Sequence, residues 1–164
     1  MISKAPVSAL CAGDGWLRNG ANLIMVGTPG GGKSHRSSTI GLSLLDKGWK
    51  VLFTRTSDLV QRLQVARAAI NRLNRFDLLI LNDFAYVTKD QAETSVLFEL
   101  IGARYECRSL LLTANEPFGD WNKVFPEQFV DPTHQVFVSL ADLLRPIVRT
   151  RSGNADELRL LRHR

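Results

Sequence analysis

Short apolar runs alternate along this chain with segments in which apolar residues recur every three or four positions. The runs have the length of strands and are residues 22–26, 49–54, 78–81 and 109–113. The recurring segments have the spacing of helices with one buried face and are residues 33–46, a stretch from about Ser57, and residues 90–105. Strands that alternate with helices predict βαβ units and a mostly parallel sheet.

The pattern weakens after Ala114. Residues 135–140 are the candidate for a fifth strand, and the residues beyond 140 indicate no element. A chain of 164 residues is long enough for one domain with a sizeable core. We therefore expect one α/β domain over residues 1–140 and a basic C-terminal tail over residues 141–164, whose fold the sequence leaves open.

A glycine-rich segment between the first strand and the first helix carries the strongest chemical signal. It fits the pattern G-x-x-x-x-G-K-[ST] at every fixed position, with Gly27, Thr28, Pro29, Gly30, Gly31, Gly32, Lys33 and Ser34. Glycines let consecutive amide N–H groups point into one concavity that holds an anion, and the helix adds its positive end. Lys33 would reach the β- and γ-phosphates, and the Ser34 hydroxyl would ligate Mg²⁺. The motif predicts a P-loop NTPase, a three-layer α-β-α sandwich.

Three further residues are candidates for the same site. His35 follows the loop directly and is therefore a candidate for contact with the nucleotide. We favour packing against the first helical turn over a catalytic role. Asn82 and Asp83 end the third strand, where P-loop enzymes carry an acidic residue that orients Mg²⁺. An amide at position 82 offers an oxygen but no charge. This leaves Asp83 as a general base or a substitute Mg²⁺ ligand, with a turn or cap residue as the alternative.

Asn115 follows the fourth strand and is the last candidate. Ligands of open α/β sheets bind at the carboxyl edge of the strands. An amide at this position could hydrogen-bond the γ-phosphate and hold the attacking water. Asn is also common in plain turns, so the residue type alone decides nothing.

Charge and cysteine usage limit the partners and the compartment. The net charge of +5 favours an acidic partner such as nucleic acid. Six arginines lie from Arg145 onward, and such a basic tail can also be a solvated chain end with no partner. Cys11 and Cys107 are isolated, as expected in a reducing cytoplasm. No apolar run reaches the roughly 20 residues that span a bilayer, and the start lacks the apolar core of a signal peptide. We expect a cytoplasmic protein with no membrane contact.

The stretch from about Ala12 to Phe125 resembles the ATP-binding helper proteins of insertion-sequence transposases, the IstB family. These are relatives of the DnaC helicase loader within the AAA+ class. The likeness is carried by residues 27–35, 48–54, 76–86, 91–105 and 112–121. The last block is the most specific, because general P-loop proteins lack its T-[AS]-N-x-P-F-x-x-W pattern.

The resemblance implies an ATPase that binds ATP and Mg²⁺, forms homo-oligomers on DNA and assists a transposase. It makes Lys33 and Ser34 the Walker A lysine and Mg²⁺ ligand, Asn82 and Asp83 the Walker B pair, and Asn115 the sensor residue. Asn82 stands where the family has an aspartate, which predicts impaired hydrolysis. Met1 lies close to the ATPase core and the likeness fades beyond Pro126, so we expect a copy shortened at its N-terminus and divergent at its C-terminus.

Other functions remain open. The chain could bind nucleotide without hydrolysing it, as a passive partner of DNA or of a transposase, or act as a DnaC-like helicase loader. A small-molecule P-loop kinase is a third class, which the block from Thr113 to Trp121 disfavours. For DNA we expect contacts to the backbone by Lys and Arg, with affinity that falls with salt and little sequence specificity.

Overall fold

A parallel five-stranded sheet forms the centre of the molecule. The computed structural model describes residues 4–84, 90–105, 107–116 and 146–151. The strands are β1 (Asn22–Val26), β2 (Val51–Arg55), β3 (Leu78–Asn82), β4 (Ser109–Ala114) and β5 (Pro146–Arg151). Their order across the sheet is β2-β3-β4-β1-β5, and every neighbouring pair is parallel.

Helices cover both faces of this sheet. They are α1 (Lys4–Ala12), α2 (Gly15–Arg18), α3 (Lys33–Asp46), α4 (Thr56–Val65), α5 (Ala69–Leu73) and α6 (Gln91–Arg104). Leu79 and Leu81 of β3 face the core under α4, α5 and α6, whereas Leu78 and Ile80 face the core under α1, α2 and α3. The prediction of a three-layer α/β sandwich of the P-loop class is confirmed.

The predicted strands and helices differ from the observed ones by one or two residues at most boundaries. β3 and β4 are buried at every position, because each has a neighbour on both sides and helices on both faces. The predicted start of α6 at Asp90 corresponds to a capping box. Asp90 accepts a hydrogen bond from the Glu93 N–H at 2.7 Å, and Glu93 accepts one from the Asp90 N–H at 3.1 Å.

The fifth strand lies in a segment whose fold the sequence leaves open. It is formed by residues 146–151, for which no element was predicted, and it pairs with β1 at the edge of the sheet. The candidate at residues 135–140 lies outside the described residues. Part of the basic C-terminal segment therefore belongs to the sheet.

Three helices were not predicted, and all are short or weakly patterned. The C-terminus of α1 is held against α3, since the Lys47 ammonium donates hydrogen bonds to Cys11 O and, at 2.8 Å, to Ala12 O. Both cysteines are free thiols, with Cys11 half-buried and Cys107 exposed. Among the described residues, no helix combines the length and the apolar character that crossing a bilayer requires.

Candidate functional site

The glycine-rich loop joins β1 to α3 at the carboxyl edge of the sheet. Gly30 has φ 76° and Gly32 has φ 79°, a left-handed conformation that side chains other than glycine rarely adopt. Gly32 is the N-cap of α3, so the loop leads directly into the first turn of that helix. The N–H groups of this turn lack partners within the helix and can bind an anion.

Lys33 is the buried cation of the loop. Its side chain folds back so that Nζ donates hydrogen bonds to Gly27 O at 2.7 Å and Thr28 O at 2.9 Å. Burial lowers the pKa of Lys33, and the negative charge of Asp83 partly opposes that shift. The ammonium therefore lies within the loop and is held by main-chain carbonyls.

The other loop residues differ in burial. Gly27 is buried, and its N–H donates a hydrogen bond to Ala114 O at 3.2 Å, which ties the loop to the end of β4. Five loop residues are exposed, namely Thr28, Pro29, Gly30, Gly32 and Ser34, whereas Gly31 is half-buried. His35 is exposed on the first turn of α3.

Asn82 is the centre of the polar network at this edge. Its Oδ1 accepts hydrogen bonds from Ser34 Oγ at 2.8 Å and from Thr113 Oγ1 at 2.8 Å. Its Nδ2 donates a hydrogen bond to Asp83 Oδ2 at 2.8 Å. One amide thus connects the first turn of α3, the end of β4 and the adjacent carboxylate, because an amide accepts through its oxygen and donates through its nitrogen, whereas an ionised carboxylate only accepts.

Asp83 follows β3 in an uncommon conformation. Its φ is 56°, and among the described residues it is the one non-glycine residue with positive φ. Asp and Asn tolerate this region better than other side chains, yet the conformation still costs free energy. The carboxylate is half-buried, and it is close enough to Lys33 to influence the pKa of that lysine.

Two threonines belong to the network although the sequence did not single them out. Thr113 is completely buried, and its Oγ1 also accepts a hydrogen bond from the Asp83 N–H at 3.0 Å. Thr56 is equally buried, and its Oγ1 donates a hydrogen bond to Asn82 O at 2.9 Å. Thr56 directly follows β2 and Thr113 is the penultimate residue of β4. Their position at the carboxyl ends of strands is the signal that could have identified them.

The structure thus brings most of the predicted site residues together. Lys33, Ser34, Asn82 and Asp83 meet where β1, β3 and β4 end. Asn115 is half-buried and directly follows β4 at the same edge.

A family model described as IstB-like ATP binding protein matches residues 4–133. The chain belongs to the IstB-like family. Its curated relatives include an insertion-sequence ATP-binding protein of Sinorhizobium fredii, 65% identical over 133 residues, and the IS21 insertion-sequence ATP-binding protein of Pseudomonas aeruginosa, 35% identical over 121 residues. The matches cover 77% and 70% of this chain and 45% of each relative. The chain therefore spans about half the length of these IstB-like relatives.

Solved structures agree on the fold. The DnaC helicase loader is similar with a TM-score of 0.63 and 21% identity, over 85% of this chain and 77% of that one. DnaI is similar with a TM-score of 0.72 and 13% identity, over 90% of this chain and 81% of that one. At these identities, the likeness of the IstB-like chain to both proteins concerns architecture alone.

The donor atoms of this IstB-like site suit Mg²⁺ better than a transition metal. Ser34 Oγ and Asn82 Oδ1 are 2.8 Å apart, and the Asp83 carboxylate accepts a hydrogen bond from the side-chain amide of Asn82. Mg²⁺ prefers such oxygen ligands and is usually held by one or two carboxylates together with phosphate and water. Within the described ranges, no cluster of three His, Cys, Asp or Glu side chains could bind a metal in another way.

Proposed function

We propose that this chain binds ATP with Mg²⁺ in the loop of residues 27–34 and hydrolyses it slowly, as the ATP-binding helper of an insertion-sequence transposase. The observation that carries the proposal is the convergence of Lys33 and Ser34 with Asn82 and Asp83 at one sheet edge. Burying a lysine costs free energy, and a glycine turn that binds no ligand does not require it. Membership of a family described as ATP-binding supports the same conclusion.

The roles follow from position. Loop N–H groups and Lys33 would bind the phosphates, and Ser34 and Asp83, with Asn82 behind them, would hold Mg²⁺. The metal would supply charge neutralisation at the phosphates. Asp83 would also serve as general base for the attacking water, and Asn115 would hydrogen-bond the γ-phosphate.

Slow hydrolysis is proposed because Asn82 is neutral. Its Oδ1 accepts the Ser34 hydroxyl as a carboxylate would, so the loop keeps its geometry. The site nevertheless has one negative charge fewer than a pair of carboxylates. Phosphoryl transfer depends on positioned Mg²⁺ more strongly than phosphate binding does, so turnover should suffer more than affinity.

An ATP titration with and without Mg²⁺ tests the nucleotide site. We expect saturable ATP binding in the wild type, and an affinity loss of about 100-fold in Lys33→Ala, because a buried cation that binds phosphate contributes a few kcal/mol. Lys50→Ala is the matched control, since Lys50 is exposed and lies outside the loop. Equal ATP affinity in the wild type and Lys33→Ala would refute the nucleotide site.

DNA and a transposase complete the proposal as partners. The net charge of +5 supports non-specific contacts to the DNA backbone, and names of relatives that refer to insertion sequences support a transposase. Binding to duplex DNA should fall steeply as salt rises. Phosphate release should be compared with and without duplex DNA, and the size of the protein with and without ATP should be measured to detect a homo-oligomer. Binding that is insensitive to salt, or absent at low salt, would refute the DNA contact.

A further inference from the structure

We propose that Thr113 is a positioning residue that holds the Asp83 carboxylate in the orientation needed at the nucleotide site. This inference rests on the proposed function, because it assigns a task to Asp83 at that site. Thr113 is completely buried near the end of β4, so its side chain has no surface that solvent or a phosphate in the loop could touch. Any effect that it has on the reaction must pass through its neighbours.

The Thr113 hydroxyl makes two hydrogen bonds of opposite direction. Oγ1 donates to Asn82 Oδ1 at 2.8 Å and accepts from the Asp83 N–H at 3.0 Å. A hydroxyl has one proton to donate and lone pairs to accept, so both bonds form at once. Valine has the same shape and can make neither bond.

The Thr113 main chain holds the same turn from the other side. Its carbonyl accepts a hydrogen bond from the Phe84 N–H at 2.8 Å. Thr113 therefore bonds to the amides of both Asp83 and the residue after it, and these bonds enclose the position where φ is 56°. A conformation of this kind persists only where its surroundings hold it, and Thr113 supplies a large part of that restraint.

The restraint extends to the side chains that meet the nucleotide. Asn82 is oriented by Thr113, so that its Oδ1 also faces the Ser34 hydroxyl and its Nδ2 faces the Asp83 carboxylate. Without the hydroxyl, the Asn82 amide could rotate and the Asp83 turn could relax. The loop and Lys33 are held by other contacts, namely the carbonyls of Gly27 and Thr28. Phosphate binding and carboxylate placement are therefore separable.

The test compares Thr113→Val and Thr113→Ser with a matched control, Thr94→Val. Thr94 is also completely buried, but its hydroxyl bonds to Asp90 O within the first turn of α6. Hydrogen exchange of the Asp83 amide is measured in the free protein, together with the melting temperature. ATP affinity is measured without Mg²⁺ and over a Mg²⁺ titration, and phosphate release in a single turnover.

We expect Thr113→Val to speed exchange of the Asp83 amide and to raise the Mg²⁺ concentration for half-maximal ATP affinity about fivefold or more. Phosphate release should fall about tenfold, while ATP affinity without Mg²⁺ stays within about twofold. Thr113→Ser should restore all of these values, and Thr94→Val should leave them unchanged.

Two results would overturn the positioning role. One is a rate of hydrogen exchange at the Asp83 amide that is the same in Thr113→Val as in the wild type. The other is an ATP affinity that depends on Mg²⁺ in the same way in Thr113→Val and Thr94→Val. If Thr113→Val fails to fold, Thr113→Ser and Thr113→Ala at low temperature give the same comparison. Failure of the proposed function has another signature, in which the wild type and Lys33→Ala bind ATP equally weakly. That result would also remove the task assigned to Thr113.

Discussion

Buried polar networks lie at both ends of β3 and β4, and they are built from different partners. At the amino ends, the Arg104 guanidinium donates hydrogen bonds to the carbonyls of Leu73, Phe76 and Ser109 at 2.9 to 3.0 Å, and to Asp77 O at 3.4 Å. At the carboxyl ends, the side chains of Ser34, Asn82, Asp83 and Thr113 bond to one another. The first network joins main-chain segments, whereas the second orients functional groups.

The two networks also differ in strain and in access. Arg104 is completely buried within α6, and its surroundings are carbonyls at element ends. Burial lowers the pKa of Arg104 to about 10, with a further lowering by Arg108 and an opposing effect of Asp77, so it stays charged at neutral pH. The carboxyl-end network contains a left-handed Asp83 and opens to solvent beside the exposed part of the loop. Strain and access at one end point to function there, and a closed network at the other end points to stability.

Arg104→Met breaks the amino-end network and should have the largest effect. Several carbonyls would lose a charged donor, so we expect the free energy of unfolding to fall by about 3–5 kcal/mol. The affinity of the folded fraction for ATP should stay within about twofold, because the loop is at the other end of the strands. Urea denaturation and an ATP titration at low temperature measure the two quantities.

Arg108→Met is the control for that experiment. Arg108 also bonds to a carbonyl, Asn74 O at 3.1 Å, but nearly half of its side chain is exposed, at 45%. Its loss should cost less than about 1 kcal/mol. A fall in ATP affinity in Arg104→Met without a loss of stability would contradict the division between the two ends.

The two ends also differ in how far the sequence could predict them. Lys33 and Ser34 belong to a contiguous motif, and Asn82 and Asp83 end an apolar run, so local patterns predict their position. The contact of Thr113 with Asn82 depends on the register between β3 and β4, in which Leu81 pairs with Leu112. That register is a property of the assembled sheet. The burial of Arg104 could not be predicted either, because a charged helix residue is expected at the surface.

The strands and helices that the sequence predicts are those with a clear local pattern. Interior parallel strands such as β3 are apolar at nearly every position, which makes them easy to recognise. The edge strand β5 has the sequence PIVRTR, whose arginines break the apolar run. The short helix α5 begins at Ala69 without a side-chain cap and has only 5 residues. Its presence depends on tertiary packing rather than on propensity. The roles of the site residues stay predictions.

Asn82→Asp changes the charge of the carboxyl-end network. A carboxylate can still accept the hydroxyls of Ser34 and Thr113, but it would face Asp83 Oδ2 where Nδ2 now donates at 2.8 Å. The two negative charges would repel each other without a cation and attract Mg²⁺ more strongly. We expect phosphate release with Mg²⁺ to rise about tenfold, which is about 1.4 kcal/mol. The assay is phosphate release over a Mg²⁺ titration.

Asn82→Ala serves as the control, since it removes both the acceptor and the donor. It should lower phosphate release rather than raise it. If Asn82→Asp leaves the rate unchanged, Asp83 or another group holds the metal, and the neutral amide does not limit turnover.

The smallest expected effect is the dependence of ATP affinity on pH, and it tests whether Lys33 belongs to the site electrostatically. Burial lowers the pKa of Lys33 in the free protein, while a bound phosphate would favour the charged form. ATP affinity should therefore be constant near neutral pH and fall by at most tenfold per pH unit as pH rises through the lowered pKa.

The stability of the protein without ATP should change in the opposite direction. The unfolded chain binds its proton more tightly there, so the free energy of unfolding without ATP should rise with pH between the lowered pKa and the ordinary lysine value. Titrations with a fluorescent ATP analogue from neutral pH up to the ordinary lysine pKa of 10.5 measure the effect on ATP affinity, with Lys33→Arg as control because a guanidinium stays charged over this range. If ATP affinity depends on pH in the same way in the wild type and Lys33→Arg, the charge of Lys33 does not determine that dependence.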